Sequence, residues 1–277
     1  MMDILKSIIL GFIEGVTEWL PISSTGHLKL AGEFLIFNGK NVGENFQSMF
    51  DYVIQIGAIL AVVVIFWNKL WPFTSKEKGI IKRKSMMIWS KVIVAVIPAI
   101  IAGVLAKVLD LDKYLDNSYV ISGMLILYGV LFIVIERINR NRKPAIISMK
   151  ALTYKDAFLI GLFQALSVVP GTSRSGVTIL GAIILGASRT VATEFSFFMA
   201  VPVICGAGLL EIIDHGFDIS GVELVILAVG LVTAFVVSII AIKFLLGYIK
   251  KKDFTVFGYY RIILGLLVLG YFLAVAQ

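Results

Sequence analysis

The chain has 277 residues, 59% hydrophobic and 16% charged, with a mean hydropathy of +0.96; soluble domains carry about 25% charged residues, and a water-soluble fold of this length exposes too much surface to hide so many apolar side chains. The formal charge of +7 does not point to nucleic acid, because the basic residues gather in short segments between apolar runs. A single cysteine, Cys205, excludes an internal disulfide and a cysteine-built metal site. These features predict an all-α polytopic membrane protein forming one integral membrane domain over residues 1–277.

The first region, about 4–37, is apolar but broken in its middle. It reads as part of the fold and not as a cleavable signal, since Glu14 and Glu18 interrupt it and no small-residue cleavage site follows. The two glutamates are four residues apart and share one helix face. Carboxylates in apolar surroundings are costly and repel each other. A divalent cation shared with a phosphate oxygen relieves both problems; solvation of a helix end in interfacial water is the alternative. The break itself is Pro21-Ile-Ser-Ser-Thr-Gly-His27. Irregular backbone cannot face lipid but can line a buried polar cavity, so the region is expected to be a re-entrant helix hairpin. The helix that follows can aim free N–H groups at an anion. Ser24 is a candidate nucleophile, and His27, three residues on, a candidate acid or base. A structural histidine and capping hydroxyls are the alternatives. Ser23 reads as a cap or phosphate contact, Thr25 as a phosphate contact.

Three apolar spans follow at about 46–67, 88–109 and 119–136. Trp67, Trp71 and Trp89 suit an interfacial belt. Lys69, Lys76, Lys78, Lys82, Arg83 and Lys84 follow the first span, Asp110, Asp112 and Asp116 the second, and Arg137, Arg140, Arg142 and Lys143 the third. A second broken region, about 155–190, contains Pro170-Gly-Thr-Ser-Arg-Ser-Gly-Val-Thr178 and is expected to form a second re-entrant hairpin. Arg174 needs a partner among apolar helices. Its guanidinium suits phosphate oxygens, and Ser173, Ser175 and Thr178 add donors. An ion pair from Arg174 to Glu14 or Glu18 is the structural alternative. Gln55 and Gln164 line the site or bond between helices. Arg189 and Glu194 read as interfacial charges.

The last three spans are expected at about 194–213, 222–246 and 256–275, making six. Glu211, Asp214, His215, Asp218 and Glu223 fall between the first two, Lys250, Lys251 and Lys252 before the last. If both hairpins return to their own side, every basic segment lies on one face, the cytoplasmic one.

The halves resemble each other. Gly11 to Glu14 matches Gly161 to Gln164, and Pro21, Ser23, Ser24 and Gly26 match Pro170, Ser173, Arg174 and Gly176 with small gaps. Phe46 and Gly57-Ala58 match Phe195 and Gly206-Ala207. Repeat one is about 1–138 and repeat two about 152–277, each a hairpin plus three spans. An odd number of spans inverts the second copy, an inverted-topology repeat whose broken segments meet near the bilayer midplane.

Glu14-Gly-Val-Thr-Glu18, Pro21-Ile-Ser-Ser-Thr-Gly-His27 and Pro170-Gly-Thr-Ser-Arg-Ser-Gly-Val-Thr178 together resemble the undecaprenyl-diphosphate phosphatase family, also called UppP or BacA and linked to bacitracin resistance. The resemblance covers essentially the whole chain and departs at no motif position. It implies hydrolysis of undecaprenyl diphosphate to undecaprenyl phosphate and inorganic phosphate, which recycles the lipid carrier of cell-wall synthesis. It also implies dependence on Mg²⁺ or Ca²⁺, residence in the bacterial inner (cytoplasmic) membrane and a site opening to the outer face. Bacitracin would compete only indirectly, by sequestering substrate; homo-oligomer formation stays open. Carried onto this chain, the functional set is Glu14, Glu18, Ser24, His27, Ser173, Arg174 and Thr178. Ser24, His27, Glu18 and Arg174 are the expected catalytic residues, with Glu14 and Glu18 holding the cation and Ser23, Thr25, Ser173, Arg174, Ser175 and Thr178 the phosphate. Attack by Ser24 with His27 as base, by water activated at His27, or by His27 itself all remain open. A lipid-phosphate transporter or flippase using the same cavity is the main rival. The type-2 phosphatidate phosphatases are rejected, because after Arg174 the only histidine is the distant His215.

Overall fold

The computed structural model describes residues 2–37, 43, 46–73, 81–215 and 219–275; Lys76, Lys78 and Asp218 lie outside them. Apart from two isolated β-bridges, all regular structure among the described residues is helical. In order these are α1 (Met2–Thr17), α2 (Ser24–Gly32), α3 (Phe46–Ile65), the one-turn α4 (Trp67–Leu70), α5 (Arg83–Val108), the one-turn α6 (Asp112–Leu115), α7 (Ser118–Asn139), α8 (Tyr154–Ala165), α9 (Arg174–Ile184), α10 (Arg189–His215), α11 (Gly221–Tyr248) and α12 (Thr255–Val275). A 3₁₀ turn, Leu166–Val168, follows α8.

Six helices, α3, α5, α7, α10, α11 and α12, are long and apolar enough to cross a membrane. Helix is the state available to these runs because lipid offers no partner to backbone N–H and C=O groups. The ends are fixed by side chains. Asn117 Oδ1 accepts from Val120 N, and Thr153 with Asp156 and Ser220 with Glu223 form capping boxes. Helices α5 and α10 begin about five residues before the apolar runs suggest, taking in Arg83, Lys84, Arg189 and Thr190. A polar first turn lowers hydropathy but does not hinder helix, since charged heads reach the interface. His215, expected in a loop, is the last residue of α10.

The two broken regions are short helices separated by irregular backbone: α1 and α2 around 18–23, and α8 and α9 around 166–173. Helix α1 packs on α11, α8 on α5, α7 on α12, and α3 on both α10 and α11. Two of these contacts need glycine. A Cβ on Gly11 would lie 2.6 Å from the Gly230 carbonyl oxygen, and one on Gly161 only 2.0 Å from that of Ala95, so backbones meet at van der Waals distance. The main core joins Trp19 at the first tip to Phe66, Phe197 and Phe198 and extends to Phe132 and Phe254. The periphery stays apolar, with Ile93, Ile97, Ile100 and Ile101 of α5 and Leu266 and Leu267 of α12 exposed, as lipid-facing surface requires.

Candidate functional site

The two irregular tips meet. Ser175 Oγ donates to the Glu18 carbonyl at 3.1 Å, across 157 positions of sequence. Each tip then launches a helix in the same unusual way. Ser23 (φ 74°, ψ 94°) and Ser173 (φ 70°, ψ 111°) precede α2 and α9 with positive φ, a region that disfavours side chains other than glycine's. Both hydroxyls accept from the N–H of the glycine three residues on, Gly26 at 3.3 Å and Gly176 at 3.2 Å. The first N–H groups of both helices, those of Ser24, Thr25, Arg174 and Ser175, have no intrahelical acceptor. Two helix starts therefore bring anion-seeking donors to one junction.

At that junction Glu18 is the hub. Arg174 Nη2 donates to its Oε1 at 2.5 Å, and Ser24 Oγ to its Oε2 at 2.6 Å. The pair is sheltered, with side-chain exposures of 14% for Arg174 and 7% for Glu18. Arg174 keeps a second terminal nitrogen, Nη1, buried and without a partner. One carboxylate thus bridges a hydroxyl and a guanidinium that has a spare donor. Such a set can polarise the hydroxyl and grip an oxyanion beside it.

Glu14 lies one turn earlier, fully buried, and neither of its oxygens has a hydrogen-bond partner. It interacts electrostatically with Glu18, Asp51 and Arg174. A buried carboxylate left unpaired is costly, so its donor set fits a cation. No group of three or more His, Cys, Asp or Glu side chains stands ready to hold a metal among the described residues. A cation at Glu14 therefore needs other oxygens, and Glu18 is already engaged by Arg174 and Ser24.

His27 shares no side-chain hydrogen bond with Ser24. Its Nδ1 bonds the Ser23 carbonyl and its Nε2 the Tyr260 hydroxyl, both at 2.7 Å. A carbonyl only accepts, so Nδ1 carries a hydrogen. The Tyr260 ring also stacks on His27, with centroids 5.6 Å apart and planes 6° apart. The other expected residues divide. Ser23 and Ser173 are caps, Thr25 is exposed, and Ser175 ties tip to tip. Thr178 is buried, donating to the Arg174 and Ser175 carbonyls and bonding Ser196. Gln164 is buried with both amide atoms unpartnered.

Two residues of α12 escaped the sequence reading. One is Tyr260. The other is Arg261, fully buried, which donates through Nη1 to the Pro21 carbonyl at 3.3 Å and through Nη2 to those of Gly171 at 2.8 Å, Thr172 at 3.0 Å and Met124 at 3.4 Å. It binds both tips to α7, lies 5.7 Å from the Tyr128 ring, and pairs with no carboxylate among the described residues. Its charge therefore adds positive potential at the junction. The available signal was an arginine inside an otherwise apolar span. Arg189 and Glu194 are engaged elsewhere, with Glu136 and Lys69.

Comparison with known proteins adds an independent line. The family model described as "Bacitracin resistance protein BacA" matches residues 7–267. An undecaprenyl-diphosphatase of Lachnoclostridium phytofermentans is 54% identical over 275 residues, covering 98% of this chain and 97% of that protein. One from Acetivibrio thermocellus is 52% identical over 275 residues, covering 99% and 100%. One from Enterococcus faecalis is 53% identical over 269 residues, covering 96% of each.

Proposed function

The chain belongs to the bacitracin resistance protein BacA family, and from that premise we propose how the junction of its two tips works. The protein is a membrane-embedded phosphatase that hydrolyses undecaprenyl diphosphate to undecaprenyl phosphate and inorganic phosphate. The observation that carries the assignment to this junction is the chain of contacts Ser24–Glu18–Arg174.

The diphosphate enters between the tips while the prenyl tail stays in lipid. Arg174 Nη1 and the free N–H groups at the starts of α2 and α9 hold the terminal phosphate. Ser24 Oγ attacks its phosphorus and gives its proton to Glu18 Oε2, already 2.6 Å away. The anhydride P–O bond breaks, and undecaprenyl phosphate leaves with the electron pair. Water then attacks the same phosphorus, the Ser24 Oγ–P bond breaks, Ser24 Oγ takes back the proton held by Glu18, and inorganic phosphate leaves carrying the protons of the water. This assigns to Glu18 the role that spacing alone gave His27. Positioning and charge stabilisation carry most of phosphoryl transfer, so the fixed Arg174 matters as much as the nucleophile. A divalent cation, Mg²⁺ or Ca²⁺, would be held by Glu14 with substrate oxygens and would neutralise charge on the leaving phosphate. His27, held by Ser23 and Tyr260, orders the first tip and offers Nε2 to the substrate once Tyr260 gives way.

The same reading includes the inverted repeat. Its supports are the matching Ser23 and Ser173 caps and the equivalent glycines Gly11 and Gly161, which touch the backbones of α11 and α5, helices equivalent by order. It places the protein in the inner membrane with its basic segments cytoplasmic, and the junction opening outward. The test is phosphate release in detergent from undecaprenyl diphosphate by wild type, Ser24→Ala and Arg174→Ala, with Mg²⁺ and with EDTA. Cation-dependent release by wild type, lost in both variants, is expected. Full activity in a folded Ser24→Ala protein would remove Ser24 from the chemistry and leave water or His27 as the attacking group.

A further inference from the structure

A cavity of about 450 Å³ lies away from the tips, where the ends of α7, α9 and α11 meet the start of α10. Arg140, Arg142 and Lys143, from the segment after α7, and Lys250, after α11, line it. None of these four cations has a carboxylate partner among the described residues. The acid in the wall is Glu136, and it is fully engaged. Its oxygens accept from Arg189 Nε at 2.9 Å, Arg189 Nη2 at 2.5 Å and the Phe254 N–H at 3.1 Å. The cavity therefore keeps a net positive charge that its own residues do not neutralise.

Its wall is held in place. Ala145 N and Ile146 N donate to the Gly186 carbonyl at 2.9 and 3.0 Å, and Ser188 N donates back to the Ile146 carbonyl at 2.9 Å. These bonds fix the segment after α7 against the turn from α9 to α10. Ser188 and Thr190 add hydroxyls to the lining. Ile183 and Ile184 make part of it apolar, and Ile184 is 49% exposed on the bundle surface, where acyl chains run. Cations, hydroxyls and an apolar flank open to lipid, all on the face that carries the basic segments, match a phosphodiester with its chains attached. Basic clefts between helices at the cytoplasmic surface attract such head groups.

We propose that this cavity is a binding site for the head group of an anionic phospholipid of the inner leaflet, separate from the phosphatase junction. The phosphodiester sits among Arg140, Arg142, Lys143 and Lys250, and the acyl chains follow Ile184 into the bilayer. The full chain in detergent, with phosphatidylglycerol or phosphatidylcholine added, provides the test by native mass spectrometry. Wild type is expected to retain at least several-fold more phosphatidylglycerol than phosphatidylcholine. Arg140→Gln/Arg142→Gln/Lys143→Gln should lose that preference and keep phosphate release, since none of the three touches the junction. The matched variant Lys82→Gln/Arg83→Gln/Lys84→Gln, which removes as many charges from another basic segment, should keep the preference. Equal retention of both lipids by wild type, or equal losses in the two variants, would overturn the site in favour of diffuse surface charge. Displacement of the lipid by millimolar inorganic phosphate would overturn the lipid as its ligand.

Discussion

At the scale of single residues, Glu18 carries two loads that its neighbours cannot share. It balances the Arg174 charge and accepts from Ser24. Glu18→Gln keeps the shape but removes the charge that pairs with Arg174 Nη2, leaving Glu14, which does not bond the guanidinium, as the carboxylate acting on it. The expected result is a fall in kcat of about 10²–10⁴-fold, read as phosphate release under saturating substrate. A fall below tenfold would take Glu18 out of the proton transfer. Tyr260 acts more gently. Tyr260→Phe retains the stacked ring but frees His27 Nε2 of its 2.7 Å hydroxyl bond. With only two histidines in the chain, ¹⁵N-histidine spectra should show the His27 Nε2 resonance shift while kcat changes by less than about tenfold. An unmoved resonance would mean that the hydroxyl does not bind the ring. Spacing brought Ser24 and His27 within reach of each other, whereas the His27 ring bonds the Ser23 carbonyl one turn back and the Tyr260 hydroxyl. Tyr260 lies 233 positions away, so local spacing leaves no trace of that partner.

At the scale of helices, contacts between backbones decide what can change. Gly161→Ala would drive a methyl group to 2.0 Å from the Ala95 carbonyl oxygen, whereas Gly206→Ala meets nothing within 4 Å. The first should lower the melting temperature of the detergent-solubilised protein by several degrees, a loss of about 1–3 kcal/mol from overpacking. The second should leave it unchanged or slightly raised. Equal behaviour of the two would contradict the close approach of α8 and α5. Six spans could be read from apolar run length, because lipid leaves the backbone no alternative to helix. Their ends were less legible. The starts of α5 and α10 extend into charged residues that hydropathy counts against them, although Arg83 and Arg189 form good helix. The tips were visible as breaks, from Pro21 and Pro170 and the serines beside them. Their meeting was not, since Ser175 and Glu18 are 157 positions apart.

For the molecule as a whole, charge sets orientation. In a Cys205→Ser background, a cysteine at Lys113 should react with a membrane-impermeant thiol reagent added outside spheroplasts, and one at Arg142 only after lysis. The reverse pattern would invert the bundle and turn the opening proposed for the junction from the outer face to the cytoplasm. Arg261 makes the strongest demand on integrity, because one guanidinium holds three parts of the chain. Arg261→Met leaves the Pro21, Gly171 and Thr172 carbonyls without that donor, and should cost about 1–3 kcal/mol and abolish phosphate release. Arg261→Lys, able to reach fewer carbonyls at once, should fall between in both melting temperature and rate. An Arg261→Met protein as stable as wild type would show that the tips hold together without it. The clamp closes on main-chain oxygens of Pro21, Gly171, Thr172 and Met124 and on none of their side chains. Every amino acid carries that oxygen, so the clamp as such does not read the side chains of Pro21 or Thr172. Gly171 is the exception for a separate reason: its φ of 85° and the Ile121 carbonyl oxygen, 2.6 Å from where a Cβ would stand, leave that position to glycine.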